Sequence, residues 1–151
     1  MIIVTGSNGF IGSNLVSELN KKGLTDILGV DDLSKNELLS NITQCEFKDI
    51  IDIKEFNRRL SRKSFDKTKI THIFHQGACS NTMEWDAEYM LENNYFFSKR
   101  LLEFSTKNKI PLIYASSASV YGNGKNFEEK IENENPINLY AFSKYLFDQL
   151  V

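Results

Sequence analysis

Tyr140 and Lys144 are the residues of this chain whose types and spacing point most directly to chemistry. Residues four apart on a helix lie on the same face, about one turn from each other. A phenol has a pKa of about 10, and a neighbouring ammonium favours the phenolate and lowers that pKa. The pair is therefore a candidate acid/base group. A surface tyrosine beside a solvated lysine has the same spacing, so the rest of the chain must decide between the two interpretations.

A glycine-rich stretch near the amino terminus is the second candidate. Gly6, Gly9 and Gly12 follow a short apolar run and open a helical pattern over residues 10–22. A dinucleotide pyrophosphate needs this context, because glycines permit a tight turn and close backbone approach at a helix N-terminus. Asp31 follows about 20 residues later, after the next apolar run, where a carboxylate can accept a hydrogen bond from the adenosine ribose. The sequence thus favours a nucleotide-binding loop over an ordinary strand-to-helix turn.

The residues around Asp31 leave the choice of nicotinamide cofactor open. Asp31 alone favours NAD, whereas the 2′-phosphate of NADP needs a compensating cation. Lys35 or Lys54 could supply that cation, and the additional negative charge of Asp32 opposes it. Asp49 could contact the adenine amino group or be an exposed turn residue.

Two later strand ends carry small and polar residues. Ser117 ends the fifth predicted strand, where its hydroxyl could hydrogen-bond a substrate oxygen. His72 and His75 are three apart on a strand and so face opposite sides, which argues against a metal site. Small residues after the fourth predicted strand would let the backbone pass close to a cofactor, although a plain turn has the same composition. That segment is Gln76, Gly77, Ala78, Cys79 and Ser80.

Strand-like and helical segments alternate along the chain, which predicts βαβ units. The expected fold class is α/β, a Rossmann-type doubly wound parallel sheet in the strand order 3-2-1-4-5, with ligands at the carboxyl ends of the strands. The predicted strands are 1–5, 26–31, 45–48, 71–75 and 111–115. The predicted helices are 10–22, 53–60, 83–108 and a last one from about Leu139 onward.

The composition is that of an ordinary globular chain, with 151 residues, 41% hydrophobic and 25% charged, and a net charge of -2. These values give no reason to expect nucleic acid or a membrane as partner. No apolar run approaches the roughly 20 residues that span a bilayer. Cys45 and Cys79 do not form a disulfide framework, so a reducing, cytoplasmic setting is expected.

Three motifs together resemble the extended short-chain dehydrogenase/reductase superfamily, which includes nucleotide-sugar epimerases and dehydratases. Several further stretches resemble, more narrowly, the ADP-heptose 6-epimerases of that superfamily. The motifs are Gly6-x-x-Gly9-x-x-Gly12, Ser117 and Tyr140-x-x-x-Lys144, and the stretches are 75–80, 82–86, 93–95, 114–118 and 138–144. The resemblance implies an NAD(P)-binding Rossmann domain over residues 1–151, a sheet incomplete at its C-terminal edge, and a C-terminal substrate domain absent from this chain.

The resemblance also implies an activity. An ADP-heptose would be inverted at C6 by transient oxidation to a ketone, in lipopolysaccharide core precursor synthesis, with NADP as cofactor and NAD as the alternative. Tyr140 would be the acid/base, Lys144 would lower its pKa and hold the nicotinamide ribose, and Ser117 would orient the oxygen. The family also implies a homo-oligomer, a homopentamer. The implied cofactor contacts are Phe10, Ile11, Asp31, Asp32, Lys54, Gln76 to Ser80, Asn93 and Lys144.

In the family, a second acid/base lies beyond the position of residue 151. The chain alone is therefore expected to be an inactive fragment whose last helix exposes apolar residues, namely Leu139, Tyr145, Leu146 and Leu150. Two alternatives stay open. One is another epimerase or dehydratase of the superfamily that acts on UDP- or dTDP-sugars, and the other is a non-catalytic NAD(P)-binding protein.

Overall fold

The computed structural model describes residues 1–34, 36–65 and 68–151, so Lys35 lies outside the described residues. Five strands form one parallel sheet in the order β3-β2-β1-β4-β5, which confirms the predicted fold class and strand order. The sheet is open, with β3 and β5 at its edges. The strands are β1 Ile2–Thr5, β2 Ile27–Asp31, β3 Asp49–Asp52, β4 His72–His75 and β5 Leu112–Tyr114.

The chain divides into two compact units, and the first contains the whole sheet. This unit comprises residues 1–77 and 104–114, with helices α1 (Phe10–Lys21) and α2 (Ile53–Ser61) and a 3-10 helix at Asn36–Ile42. The central strands β1 and β2 are buried almost throughout, as expected for parallel strands covered on both faces. Their apolar side chains form the core of this unit, and the carboxyl ends of the strands lie at the edge of that core.

The third strand lies four residues later than predicted. Residues 45–48 do not form it, because Cys45 and Phe47 instead pack, half-buried, against the apolar cluster around Ile27. Lys48 then donates its N–H to the Ile27 carbonyl at 2.9 Å, and pairing with β2 begins at Asp49. The prediction was wrong because the segment that precedes this edge strand, residues 45–48, has the same composition as a short strand.

The second unit comprises residues 78–103 and 115–151. Its first helix was predicted from residue 83, but α3 (Ala87–Leu91) begins only after Asp86, whose side chain accepts the Tyr89 N–H at 2.9 Å. Upstream, the Glu84 carboxylate accepts the N–H groups of Trp85 and Asp86 at 3.0 Å each, which favours a turn over a helix. A π-helical turn, Glu92–Phe96, leads into α4 (Phe97–Asn108).

Helix α5 (Leu139–Asp148) starts where predicted, because the Asn138 side chain accepts the Ala141 N–H at 2.8 Å. Short 3-10 helices precede it at Ala118–Tyr121 and Ile131–Asn133. Of the four apolar residues expected to be exposed on this last helix, Leu150 is exposed and the other three are half-buried. Among the described residues, no helix has the length and apolar character needed to cross a membrane.

Candidate cofactor and acid/base site

The glycine loop connects β1 to α1 with no room for side chains at two of its three glycines. Gly6 has φ +68°, and a Cβ there would lie 2.6 Å from the backbone nitrogen of Gly77. A Cβ on Gly12 would lie 2.0 Å from the Gly6 carbonyl oxygen, whereas one on Gly9 would lie at an ordinary 3.4 Å. Gly6 and Gly12 are therefore sterically required, and Gly9 is not.

The N-terminus of α1 carries no side-chain cap. Gly9 is the N-cap residue, so the N–H groups of the first turn are left for another acceptor. Phe10 and Ile11, at the start of this helix, are 82% and 60% exposed. An uncapped helix N-terminus after a glycine turn is a favourable environment for an anionic diphosphate.

Asp31, at the carboxyl end of β2, ties the glycine loop to the strand. One carboxylate oxygen accepts the Asn8 N–H at 2.7 Å, and the other accepts the Asp32 N–H at 2.8 Å. Asp32 in turn accepts hydrogen bonds from Ser34. Lys54, the candidate cation that the structure describes, is exposed in the first turn of α2.

Asp49 does not lie with Asp31 and Asp32 at the carboxyl end of the sheet. It is the first residue of β3 and pairs in register with Leu28, at the amino end of the sheet, while Asp52 pairs with Asp31 at the carboxyl end. The interpretation of Asp49 as an adenine contact is therefore wrong. Its apparent position after a strand came from placing that strand too early.

The turn after β4 begins against the glycine loop. Gly77 donates its N–H to the Thr5 hydroxyl oxygen at 3.2 Å, and that hydroxyl also bonds the Nδ1 of His75 at 2.6 Å. His75 is buried and His72 is exposed, which confirms that the two histidines face opposite sides. Thr5 was not singled out in the sequence, since a β-branched residue inside a strand is unremarkable.

In the second unit, Tyr140 and Lys144 both lie on α5, one turn apart. Tyr140 is half-buried, and Lys144 is only 8% exposed. The Lys144 Nζ donates to the carbonyl oxygen of Ala115 at 2.8 Å. Burial lowers the pKa of Lys144, and the negative charge of Asp148 acts in the opposite direction. Lys144 is thus an anchored, buried lysine and not a solvated surface lysine.

Ser117 lies two residues beyond the Ala115 carbonyl. Its hydroxyl oxygen accepts the Ser119 N–H at 3.2 Å and so caps the following 3-10 helix. Accepting this bond leaves the hydroxyl proton available for donation to another oxygen. The geometry therefore holds Ser117 in place as a potential hydrogen-bond donor.

Asn94, in the π turn, is the organising residue that the sequence analysis missed. Its side chain accepts the Cys79 N–H at 2.7 Å and donates to the Cys79 carbonyl at 3.0 Å and to the Ser143 hydroxyl at 2.9 Å. Ser143 donates to the carbonyl of Tyr140 at 2.7 Å. The predicted contact Asn93 differs, since its side chain donates to the Tyr89 carbonyl of its own helix.

A signal for Asn94 was present in the sequence. Met90, Phe97 and Leu101 form an apolar stripe at helical spacing, and Asn94 is the polar residue within it. A polar side chain in a buried stripe must find partners, because burying an unsatisfied amide is unfavourable. Such a position indicates a local hydrogen-bond network.

Replacing Asn94 with alanine removes the partners of both Cys79 backbone groups. A buried polar group left unsatisfied costs about 1–3 kcal/mol, and the two Cys79 groups are only partly buried, so we expect Asn94→Ala to lower the unfolding free energy by about 2 kcal/mol. Asn93→Ala is the matched control, with an expected loss below about 1 kcal/mol, because its bond lies at the helix surface. Urea denaturation of the three proteins measures both, and equal losses would contradict the assigned role.

A parallel sheet in this order, with a glycine loop after β1 and a carboxylate after β2, defines a Rossmann-type dinucleotide-binding domain. Comparison with known families narrows this class. The family model described as the NAD dependent epimerase/dehydratase family matches residues 2–151, and the chain belongs to that family. The resemblance seen in the sequence motifs is confirmed.

Individual relatives show which epimerases of this family the chain is similar to. The chain is 53% identical over 150 residues to an ADP-L-glycero-D-manno-heptose-6-epimerase of Brachyspira hyodysenteriae, covering 99% of this chain and 47% of the relative. The crystal structure of the Helicobacter pylori ADP-L-glycero-D-manno-heptose-6-epimerase is similar at 32% identity and a TM-score of 0.85, covering 99% of this chain and 49% of that one.

A further solved structure is that of the UDP-glucuronic acid 4-epimerase of Bacillus cereus in complex with NAD. It is 28% identical with a TM-score of 0.81, and the match covers 99% of this chain and 50% of that one. The chain spans about half the length of these relatives.

Proposed function

We propose that this chain supplies the cofactor-binding and acid/base residues of an ADP-heptose 6-epimerase with NADP as its cofactor. The observation that carries the chemistry is the buried Lys144, anchored to Ala115 one helical turn from Tyr140. The substrate is inferred from the 53% identity to the Brachyspira hyodysenteriae relative. The product would be a precursor of the lipopolysaccharide core.

The residues of the first unit fit a dinucleotide. Gly6 and Gly12 let the backbone of the loop pack closely against Gly77 and α1, and the first turn of α1 is uncapped. The amide Nδ2 of Asn8, in the same loop, is buried and has no hydrogen-bond partner within the part of the chain that the structure describes. An orphaned donor in a glycine loop is consistent with a site that is completed by a ligand.

We assign the diphosphate to the first turn of α1 at Phe10 and Ile11, and the adenosine ribose to Asp31, Asp32 and Lys54. The remaining proposed contacts are Gln76, Gly77, Ala78, Cys79, Ser80, Asn93 and Lys144. The bound nicotinamide would take up the hydride from the substrate carbinol and return it. The Lys54 cation favours NADP, and NAD is the alternative because two carboxylates lie beside the ribose position and the Bacillus cereus relative was solved with NAD.

Tyr140 would accept the proton of the C6 hydroxyl as the carbinol is oxidised and return a proton as the ketone is reduced. The Lys144 ammonium, one helical turn away, would supply positive charge near the reacting oxygen. Ser117, whose oxygen already accepts a backbone N–H, would donate its own proton to the same substrate oxygen. Together these groups would stabilise the developing negative charge on that oxygen.

A chimeric enzyme tests this proposal. Residues 1–151 replace the matching amino-terminal part of the Brachyspira hyodysenteriae relative, and the ratio of C6 epimers of an ADP-heptose is followed by NMR with NADP or NAD. We expect epimerisation with NADP at a lower cofactor concentration than with NAD. A folded chimera that binds cofactor but leaves the epimer ratio unchanged would contradict the substrate assignment, and equal use of both cofactors would contradict the preference.

A second candidate is a UDP-sugar epimerase, favoured by the structural similarity to the Bacillus cereus UDP-glucuronic acid 4-epimerase. The same chimera assayed with UDP-hexoses and UDP-hexuronic acids distinguishes it, since only one sugar class should turn over. The lower identity of 28% against 53% places this candidate second. For the whole enzyme we further propose a cytoplasmic homo-oligomer, as the family resemblance implies.

A further inference from the structure

Helix α5 is fastened to the segment after β5 at two points one turn apart. Lys144 donates to the Ala115 carbonyl at 2.8 Å, and Asp148 accepts a hydrogen bond from the hydroxyl of Ser116. Ser117, the next residue, is the proposed donor to the substrate oxygen. The position of Ser117 relative to Lys144 is therefore fixed by two neighbouring hydrogen bonds, Lys144 to Ala115 and Ser116 to Asp148.

The same carboxylate is the counter-charge of a buried cation. Lys144 is 8% exposed, so its ammonium loses hydration, and the Ala115 carbonyl oxygen replaces only part of that hydration. Lys144 and Asp148 are four apart on the helix, so both lie on one face. Burial lowers the pKa of Lys144, and Asp148 is the group whose charge raises it.

Other titratable groups lie on α5 itself, on the helical segments that pack against it, and on the residues that directly follow those segments in the chain. Glu92 pairs with Arg100 at 2.8 Å, and Glu134 accepts a hydrogen bond from Gln149 at 3.2 Å. The pKa of Glu134 is raised by burial and by the charge of Asp148. The remaining such groups are Glu88, Tyr89, Tyr95, Tyr121, Tyr140 and Tyr145. Among these described groups, none acts on the charge of Lys144 as Asp148 does.

We propose that Asp148 is a positioning residue of the acid/base site, which keeps Lys144 in its cationic form and holds Ser116, and thereby Ser117, beside α5. This inference rests on the proposed function of Tyr140 and Lys144. Removing the carboxylate withdraws the charge that favours the ammonium, so Lys144 loses its proton at lower pH. A neutral amine no longer supplies positive charge to the site where negative charge develops on the substrate oxygen.

The 151-residue chain itself is used for the first test. The side-chain carbons of Lys144 are followed by NMR during a pH titration, with the resonance assigned by its loss in Lys144→Met. Asp148→Asn removes the charge but keeps an oxygen that accepts from Ser116, and we expect it to lower the pKa of Lys144. Glu129→Gln removes one exposed charge elsewhere in this unit, and we expect it to shift this pKa by less than about 0.2 unit.

Two further variants separate charge from positioning. Asp148→Glu retains the charge, and we expect it to restore the Lys144 pKa. Ser116→Ala removes the hydrogen bond, keeps the charge and leaves that pKa in place. In the chimeric enzyme, Asp148→Asn should move the alkaline limb of the turnover profile to lower pH by the same shift, while Ser116→Ala lowers kcat at all pH values.

The outcomes distinguish this inference from the proposed function. Equal Lys144 pKa values in Asp148→Asn and Glu129→Gln would overturn the charge role, whatever the chimera does. An unchanged kcat in Ser116→Ala would overturn the positioning role. If the chimera is inactive while Asp148→Asn still lowers the pKa of Lys144, the proposed function fails and the electrostatic part of the inference stands. Circular dichroism of each variant checks that it is folded.

Discussion

Gly12→Ala is expected to lower the unfolding free energy by about 3 kcal/mol or more, while Gly9→Ala changes it by less than about 1 kcal/mol. The methyl group added at Gly12 would lie 2.0 Å from the Gly6 carbonyl oxygen and 3.0 Å from the Ser7 Cα. Both are backbone atoms, so no side-chain rotation relieves the clash. α1 would have to move away from β1, although alanine alone would favour a helix.

The two glycines make a matched pair, because they open the same helix and receive the same methyl group. At Gly9 the new Cβ lies 3.4 Å from the nearest backbone atom, and φ is -70°, which any residue adopts. Urea denaturation of the three chains gives the free energies, and for 151 residues a loss of about 3 kcal/mol lowers Tm by about 6–12 °C. Similar losses in both variants would show that close packing of α1 is not what Gly12 provides.

Tyr140→Phe is expected to reduce epimerisation by the chimeric enzyme about 100- to 10,000-fold while cofactor affinity stays within about twofold. Phenylalanine keeps the ring packing and removes the group proposed to carry the proton. Turnover is measured from the C6 epimer ratio, and cofactor binding by isothermal titration calorimetry.

Tyr145→Phe serves as its control. Tyr145 lies on the same helix, is half-buried and stacks with Phe142 at a centroid distance of 6.3 Å. The same hydroxyl deletion at this position should leave turnover within about twofold. Comparable losses in both variants would indicate a general effect on α5, and unchanged turnover in Tyr140→Phe would refute the acid/base assignment.

Apart from the position of β3, the sheet was predictable because its strands contrast with their surroundings. The runs that became β1, β2 and β4 are apolar and bounded by polar or glycine residues, so alternation with helices led to the observed strand order. β3 was misplaced because its residues, Asp49 to Asp52, are half acidic, and its position is set by hydrogen bonds to β2 and not by its own pattern. Long-range pairing of this kind leaves no local signal.

The candidate site likewise contains residues that could be predicted from the sequence and residues that could not. Motifs with fixed spacing, such as Gly6 to Gly12 and Tyr140 with Lys144, were predicted from sequence alone. Asn94 and Asp148 were not, because their partners lie 15 residues away at Cys79 and 32 residues away at Ser116. The apolar stripe indicates that Asn94 has hydrogen-bond partners, but which groups of another segment Asn94 and Asp148 bind becomes visible only when the fold brings the segments together.

The π turn at Glu92–Phe96 has a consequence for how this protein tolerates insertions and deletions. A π turn carries one residue more than an α turn, so the helix on either side is out of phase with a regular α-helix. Deleting a single residue there would restore regular winding and rotate the preceding turns by about 100° relative to Phe97 and Leu101. Met90 and Asn94 would leave their buried positions. We therefore expect a deletion within these five residues to disrupt the structure, and we expect the exposed loop around Lys125 to accept changes in length.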